Sequence, residues 1–151
     1  MRISEAVRRS AVGIGPDRTL ADAAGIMNES GVGALAVIEG DRLVGIVTDR
    51  DLVRRGLARG LPADARIDGV MTTDVVTVDA DADLHSVFGQ FRTHAIRRLP
   101  VVRDGRFVGM ITTDDLLINL AADLADLARP ITGEVLFAHR DSAVPATLTV
   151  P

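Results

Sequence analysis

A chain of 151 residues, 47% hydrophobic and 25% charged, has room for one globular domain or two half-sized ones, and its lack of cysteine excludes disulfides, thiolate metal sites and cysteine nucleophiles. All 17 basic residues are arginine against 21 acids, and the only aromatics are four Phe, a balance that argues against a nucleic-acid binder, which needs a basic face and stacking rings. The Met-Arg-Ile-Ser-Glu start lacks the apolar stretch of a signal peptide and no run approaches the roughly 20 apolar residues of a membrane span, so a cytoplasmic location without membrane contact is expected.

In chain order, the apolar run Ala11 to Ile14 predicts a short strand. Gly-Pro-Asp turn residues then lead to a helix capped by Thr19, with Leu20, Ala23, Ala24 and Met27 as its buried stripe. A hairpin follows, strands Ala34 to Ile38 and Leu43 to Val47 joined by Glu39-Gly40-Asp41-Arg42. A second helix opens at Thr48 and runs to about Arg59, and Leu57 to Arg66, with Gly60 and Pro62, reads as a connection.

The series then recurs. A strand over Val75 to Val78 precedes a helix capped by Asp83 with the stripe Leu84, Val87, Phe88 and Phe91. A hairpin joins Leu99 to Val102 with Phe107 to Ile111 through Arg103-Asp104-Gly105-Arg106, where Asp-Gly supplies the positive φ of a tight turn. The last helix opens at Thr112 and runs to about Ala128, where Arg129-Pro130 is expected to break it. The tail to Pro151 shows no clear period and is expected to be a loosely docked arm or a partner-binding strand.

Sliding the sequence by 64 residues lays Leu35–Leu52 over Leu99–Leu116 without a gap, and the same offset pairs Ile3 with Ile67, Val12 with Val76, Leu20 with Leu84 and Gly25 with Gly89. A unit of about 60 residues leaves too much apolar surface exposed to be stable alone. The predicted fold is therefore α/β (α+β): two β-α-β-β-α repeats, residues 1–62 and 63–128, packed sheet to sheet with pseudo-twofold symmetry, followed by a C-terminal tail over 129–151.

Both copies carry Gly-h-h-Thr-x-x-Asp, where h is apolar: Gly45 to Asp51 and Gly109 to Asp115. This element falls where a strand ends and a helix begins. There a threonine hydroxyl and free backbone N–H groups can meet an anion, while the aspartate accepts hydrogen bonds from neighbouring hydroxyls; a phosphate and a vicinal diol fit that pairing. A single Thr-x-x-Asp also reads as a plain capping box, and its recurrence in a paired repeat favours a ligand corner.

These residues resemble the cystathionine-β-synthase (CBS) domain family, whose tandem pairs are called Bateman modules. The likeness spans residues 3 to 125 and rests on Val70-Met71-Thr72 before Val75-Val76-Thr77-Val78, on Ile96-Arg97-Arg98-Leu99-Pro100-Val101-Val102, and on both Gly-h-h-Thr-x-x-Asp segments. The resemblance implies a regulatory fold, requiring no cofactor, that binds AMP, ADP, ATP or S-adenosylmethionine in two clefts between the repeats. Carried over by position, Asp51 and Asp115 would hold ribose hydroxyls and Thr48 and Thr112 would face phosphate. Adenine would lie against Val12, Ala34 and Ala36 in one cleft and Val76, Leu99 and Val101 in the other. The family's basic pair before the Leu-Pro-Val strand is matched by Arg97 and Arg98, which also read as a solvated strand edge. The first repeat has Gly33 and Ala34 there, so its phosphate would rely on Arg50 or on an arginine crossing from the other repeat; the second has Asp114 in place of Arg50, and two unequal sites are expected.

An enzyme would need a nucleophile or an acid–base set. His85, His94 and His139 lie neither at the i, i+4 spacing of a helical metal pair nor beside a Ser/Asp set that repeats in an interpretable way, so no catalytic or metal-binding residues are expected. Arg54, Arg55 and Arg59 read as a solvated helix face. Leu116, Leu117, Leu120, Leu124 and Leu127 fall at helical spacing and read either as core or as a face pairing two copies into a homodimer. The rival to a ligand-binding module that signals through dimer geometry, to an effector protein, is a scaffold for oligomerisation or protein interaction with no small-molecule ligand.

Overall fold

In the computed structural model, which describes residues 3–7 and 12–141 with 131–141 as backbone alone, each half of the chain builds three strands of one six-stranded sheet. In the first half β1 (Gly13–Ile14) lies parallel to β2 (Ala34–Glu39), which turns back through positive-φ Gly40 into antiparallel β3 (Arg42–Thr48). In the second, β4 (Val78–Asp79), β5 (Arg98–Arg103) and β6 (Arg106–Thr112) repeat this order, with Asp104 and Gly105 both at positive φ in the two-residue turn. The strand order β1-β2-β3-β6-β5-β4 is thus a mirror sequence about its centre. The halves join there at one residue pair, Arg42 opposite Arg106, backed by the Phe107 N–H donating to the Asp41 carbonyl at 3.1 Å and by an Arg106–Asp41 ion pair at 3.0 Å.

The helices carry the caps that their sequences promise. Thr19 caps α2 (Leu20–Ser30) in a reciprocal box with Asp22, and Asp83 accepts from the Ser86 N–H to cap α4 (Leu84–His94). Leu20, Ala23 and Met27 are buried, as are Val87 and Phe91; Leu84 and Phe88 are half-buried, and Ala24 is exposed, outside the stripe predicted for it. The predicted strand over Val75 to Val78 is mostly unpaired: only Val78 and Asp79 pair with β5. Residue 11 of its counterpart lies outside the described residues.

The two lead segments are exchanged. Helix α1 (Ile3–Ala6) opens the first repeat but touches the second, its Ser4 N–H donating to the Ala80 carbonyl at 3.3 Å. Sixty-four residues on, the 3-10 turn Ile67–Gly69 opens the second repeat but touches the first, with Asp68 N–H donating to the Pro16 carbonyl at 3.2 Å. Ile67 and Val70 accordingly complete the core of Ile14, Leu20, Met27, Leu35, Val37 and Val47, each buried side chain contributing about 1.5–3 kcal/mol of burial.

The helix after β3 begins as α3 (Asp49–Asp51), widens to a π turn over Leu52–Gly56 and tightens to 3-10 over Leu57–Arg59. Its counterpart α5 (Thr113–Asp141) is α-helical throughout. The described residues up to Asp115 and those from Leu116 onward form separate compact units. In the second unit Leu116 and Asn119 are buried, and Leu117, Ile118, Leu120, Leu124 and Leu127 are exposed. Helix α5 runs through Arg129-Pro130, correcting the break expected there. Proline removes one N–H and crowds one carbonyl, and because residues 121–130 are all exposed, the deprived carbonyl can meet water and the helix continues. Residues 142–151 of the tail lie outside the described residues.

Candidate functional site

Where β3 ends, the Thr48 side chain accepts from the Asp51 N–H at 3.1 Å and the Asp51 carboxylate accepts from the Thr48 N–H at 2.9 Å. The second copy repeats this box between Thr112 and Asp115, at 3.1 and 3.3 Å. Each aspartate thus commits one carboxylate oxygen to its own backbone, as a capping box does.

In front of the first box opens a cleft of about 510 Å³, walled by both repeats. The first repeat supplies Ile46, Thr48, Asp49 and Arg50. The second supplies Thr72, Asp74, Val75 and Val76 from the stretch leading into β4, and Ala95, Ile96, Arg97, Arg98 and Pro100 from the end of α4 and the start of β5. The exchange of lead segments makes this juxtaposition: Ile46 and Thr72 trade backbone hydrogen bonds, each 2.9 Å, and carry the Asp74–Val76 wall across to the first repeat's corner.

Three of the cleft's side chains are guanidinium groups. Among the described residues Arg50, Arg97 and Arg98 form no ion pair, whereas Arg18, Arg55, Arg66, Arg103, Arg106 and Arg129 each do. The opposing charges are Asp74 and Asp49, one oxygen of which accepts the Arg50 N–H at 2.8 Å. Gly33 makes room here: a Cβ on it would lie 3.0 Å from an Asp49 oxygen and 3.2 Å from an Arg98 nitrogen. In the wall, Ala95 ends α4 in the left-handed region, φ 50, where the first repeat has Gly31 at φ 63.

Of the residues singled out from sequence, Thr48, Arg50, Val76, Arg97 and Arg98 meet in this cleft. Asp51 is hydrogen-bonded to Thr48 and is not in the lining. Leu99 and Val101 do not line it and are fully buried, because strand alternation turns Arg98 and Pro100 toward the cleft and their neighbours to the other face. By the same parity Ala34 and Ala36, both buried, correspond to Arg98 and Pro100. The cleft related to this one by the 64-residue offset would join Thr112 to residues 8–12, of which 8–11 lie outside the described residues; Val12 is half-buried against the first repeat's core.

Sequence reasoning missed Ile46, Asp49, Thr72, Asp74, Val75, Ala95, Ile96 and Pro100. Alternation from Thr48 and Arg98 would have found Ile46 and Pro100. The lead-segment residues carry no local signal, since only the exchange brings them in. Arg55 is exposed, as the solvated-face reading expects, but its partners were not foreseen: its guanidinium donates to the Val70 carbonyl at 3.2 Å, lies 3.5 Å from both the Met71 carbonyl and the Thr72 hydroxyl, and pairs with Asp51 at 3.8 Å. A π turn is invisible to helical periodicity, and the partners lie 15 to 17 residues away.

Elsewhere, His85 and His94 are exposed, and among the described residues no group of three or more His, Asp or Glu is placed to hold a metal. No helix of the described residues is long and apolar enough to cross a membrane.

The family model of the CBS domain matches twice, over residues 3–58 and 67–122. The chain belongs to the CBS domain family. Hypoxic response protein 1 of Mycobacterium tuberculosis is 38% identical over 109 residues, 71% of this chain and 76% of that protein, and YlbB of Bacillus subtilis is 40% identical over 100 residues, 65% and 68%. Among solved structures, the crystal structure of Hypoxic Response Protein I with two coordinated zinc ions aligns at TM-score 0.71 with 33% identity, over 78% of this chain and 97% of that one. A CBS domain protein of Pyrobaculum aerophilum complexed with AMP aligns at TM-score 0.71 with 26% identity, over 81% and 99%. The chain is thus a tandem CBS pair, a Bateman module, of mixed α/β fold, similar to proteins of which some carry an adenine nucleotide.

Proposed function

We propose that this Bateman module is a regulatory, non-catalytic unit that binds an adenine nucleotide in the cleft between its CBS repeats, with residues 1–62 and 63–128 as the two CBS domains and 129–151 outside them. The observation that carries this reading is the meeting of Thr48 and Arg50 from one repeat with Val76, Arg97 and Arg98 from the other around one opening. Its volume, about 510 Å³, falls within the range of about 300–1,000 Å³ of small-molecule sites. Three guanidinium groups without an acid partner favour a phosphorylated ligand, AMP, ADP or ATP, over the cationic S-adenosylmethionine. Ile46, Val75, Val76 and Ile96 offer apolar surface to a base, and the Asp51 carboxylate, bonded to the Thr48 N–H, orients the corner or takes a ribose hydroxyl. The relative from Pyrobaculum aerophilum complexed with AMP supports this ligand class.

A charge-assisted hydrogen bond is worth about 1.5–3 kcal/mol, so two arginine contacts and one ribose contact supply most of the roughly 8 kcal/mol of a micromolar complex before ordering costs. Calorimetric titration with AMP, ADP, ATP and S-adenosylmethionine tests the reading: saturable heat with a phosphorylated compound supports it, and none with any of the four refutes it.

A second reading, a ligand-free oligomerising scaffold, draws on one observation, the exposed Leu117, Leu124 and Leu127 on α5. On either reading a homodimer signalling to an effector protein fits that apolar surface. Scattering with and without nucleotide separates a ligand-responsive dimer from a static one.

A further inference from the structure

Arg55 sits outside the lining of the cleft, yet it is bonded to both repeats that form it. On the first repeat its Nε faces an Asp51 oxygen at 3.8 Å, and the other oxygen of that carboxylate accepts the Thr48 N–H. On the second repeat's lead segment its Nη1 donates to the Val70 carbonyl at 3.2 Å and lies 3.5 Å from the Met71 carbonyl and from the hydroxyl of Thr72, a cleft residue. A guanidinium is suited to serving two sides in this way, because its donors fan out in a rigid plane.

The backbone beneath it differs between the two halves. Arg55 belongs to the π turn Leu52–Gly56, where one extra residue per turn changes the direction in which side chains leave the helix. The corresponding stretch of α5 is regular α-helix, and the position 64 residues on is Asn119, a buried amide. Gly56 lets the widened turn settle against α2, since a Cβ on it would stand 3.1 Å from the Leu20 methyl carbon.

We propose that Arg55 is a positioning residue that sets the width of this cleft, tying the Thr48–Asp51 corner to the Val70–Thr72 wall so that the ligand's contacts on the two repeats are held in register. The part of this concerning ligand affinity rests on the nucleotide reading above; the part concerning the wall does not. Arg55→Ala leaves the Asp51 carboxylate without its cation and the Val70 carbonyl without its donor, whereas Arg55→Lys keeps the charge and one reach of the two.

The test has two arms on the full chain. Amide hydrogen exchange without nucleotide reads the wall: Arg55→Ala should speed exchange at the Ile46 and Thr72 amides about tenfold, with Arg55→Lys intermediate and the exposed neighbour variant Arg54→Ala unchanged. Calorimetry with AMP reads the ligand: Arg55→Ala should bind about tenfold more weakly and Arg55→Lys should recover part of the loss. Exchange at Ile46 and Thr72 that matches wild type in Arg55→Ala overturns the proposal whether or not AMP binds. Wild-type protein that ignores AMP sinks the nucleotide reading and leaves the exchange arm to decide the wall. Equal AMP affinity in wild type and Arg55→Ala overturns the proposal even if exchange is faster.

Discussion

Met71 lies directly over the α-carbon of Gly45: a Cβ there would stand 2.7 Å from the Met71 sulfur and 2.9 Å from the Thr72 carbonyl oxygen. The relation repeats 64 residues on, where a Cβ on Gly109 would meet a Val7 methyl carbon at 2.7 Å. The glycine that opens each Gly-h-h-Thr-x-x-Asp segment is thus the landing place for the other repeat's lead segment. It gives the two repeats their close contact beside each ligand corner.

The two glycines should not respond alike to substitution. At Gly45 a methyl collides with backbone as well as side chain, and Gly45→Ala is expected to cost about 1–3 kcal/mol. At Gly109 only the end of a side chain is in the way, and Gly109→Ala should cost clearly less. Urea denaturation of the two variants checks the order, and equal losses would contradict the exchange geometry.

Asp51 has a capping role and a proposed ligand role, and two substitutions separate them. Asp51→Asn can still accept the Thr48 N–H through its amide oxygen, so it should keep most of the stability while weakening AMP binding. Asp51→Ala removes the acceptor of the Thr48 N–H while the Thr48 hydroxyl still caps the backbone N–H of residue 51, and should cost about 0.5–1.5 kcal/mol more, read from the unfolding midpoint. Thermal melts with parallel calorimetry read both, and a variant pair with wild-type affinity would remove Asp51 from ligand binding.

Gln90 on α4 carries a buried side-chain oxygen without a hydrogen-bond partner among the described residues, at the position where α2 has Ile26, packed against its core. An unsatisfied buried acceptor costs about 1–3 kcal/mol. Gln90→Ile should therefore stabilise the fold by about 1 kcal/mol, with the result read as a shift in the urea midpoint at unchanged slope. A loss of stability would show that the oxygen is satisfied in solution.

Asp22 supplies a pH dependence whose sign is fixed. Its hydrogen bond from the Arg18 guanidinium, at 2.9 Å, and the Thr19 backbone and hydroxyl contacts hold its carboxyl down to about 2 from an ordinary 3.8. A depressed acid contributes stability above its unfolded value and loses it as pH falls through the folded one. The stability gap between wild type and Asp22→Asn should be fully present at neutral pH, narrow below pH 3.8 and close near about 2. The group is solvent-exposed, so added salt should shrink the gap at every pH.

The repeat made most of the fold legible. One offset placed both hairpins, both caps and both Thr-x-x-Asp boxes, because each is specified by a few neighbouring residues: Gly40 or Asp104-Gly105 at the turns, Thr19 and Asp83 at the helix starts. The cleft was legible only in part, because its walls come from opposite repeats. Thr48 and Arg98 each looked functional, but nothing local states that they face one another; that follows from the exchange of lead segments through Ile46 and Thr72. Strand parity separates Arg98 and Pro100 from Leu99 and Val101, a distinction hydrophobicity hides because both sets are needed under the sheet's two faces. Pro130 marks the opposite error, a strong local breaker overruled in an exposed helix whose carbonyl can turn to water.

The central claim is that one phosphorylated adenine ligand is gripped jointly by both repeats, and titration of AMP into wild type, Arg50→Ala and Arg98→Ala tests it most directly. Saturable binding to wild type that falls about tenfold in each variant, one from each repeat, is the predicted result. Wild-type affinity in both variants, or no binding to wild type at all, would contradict it.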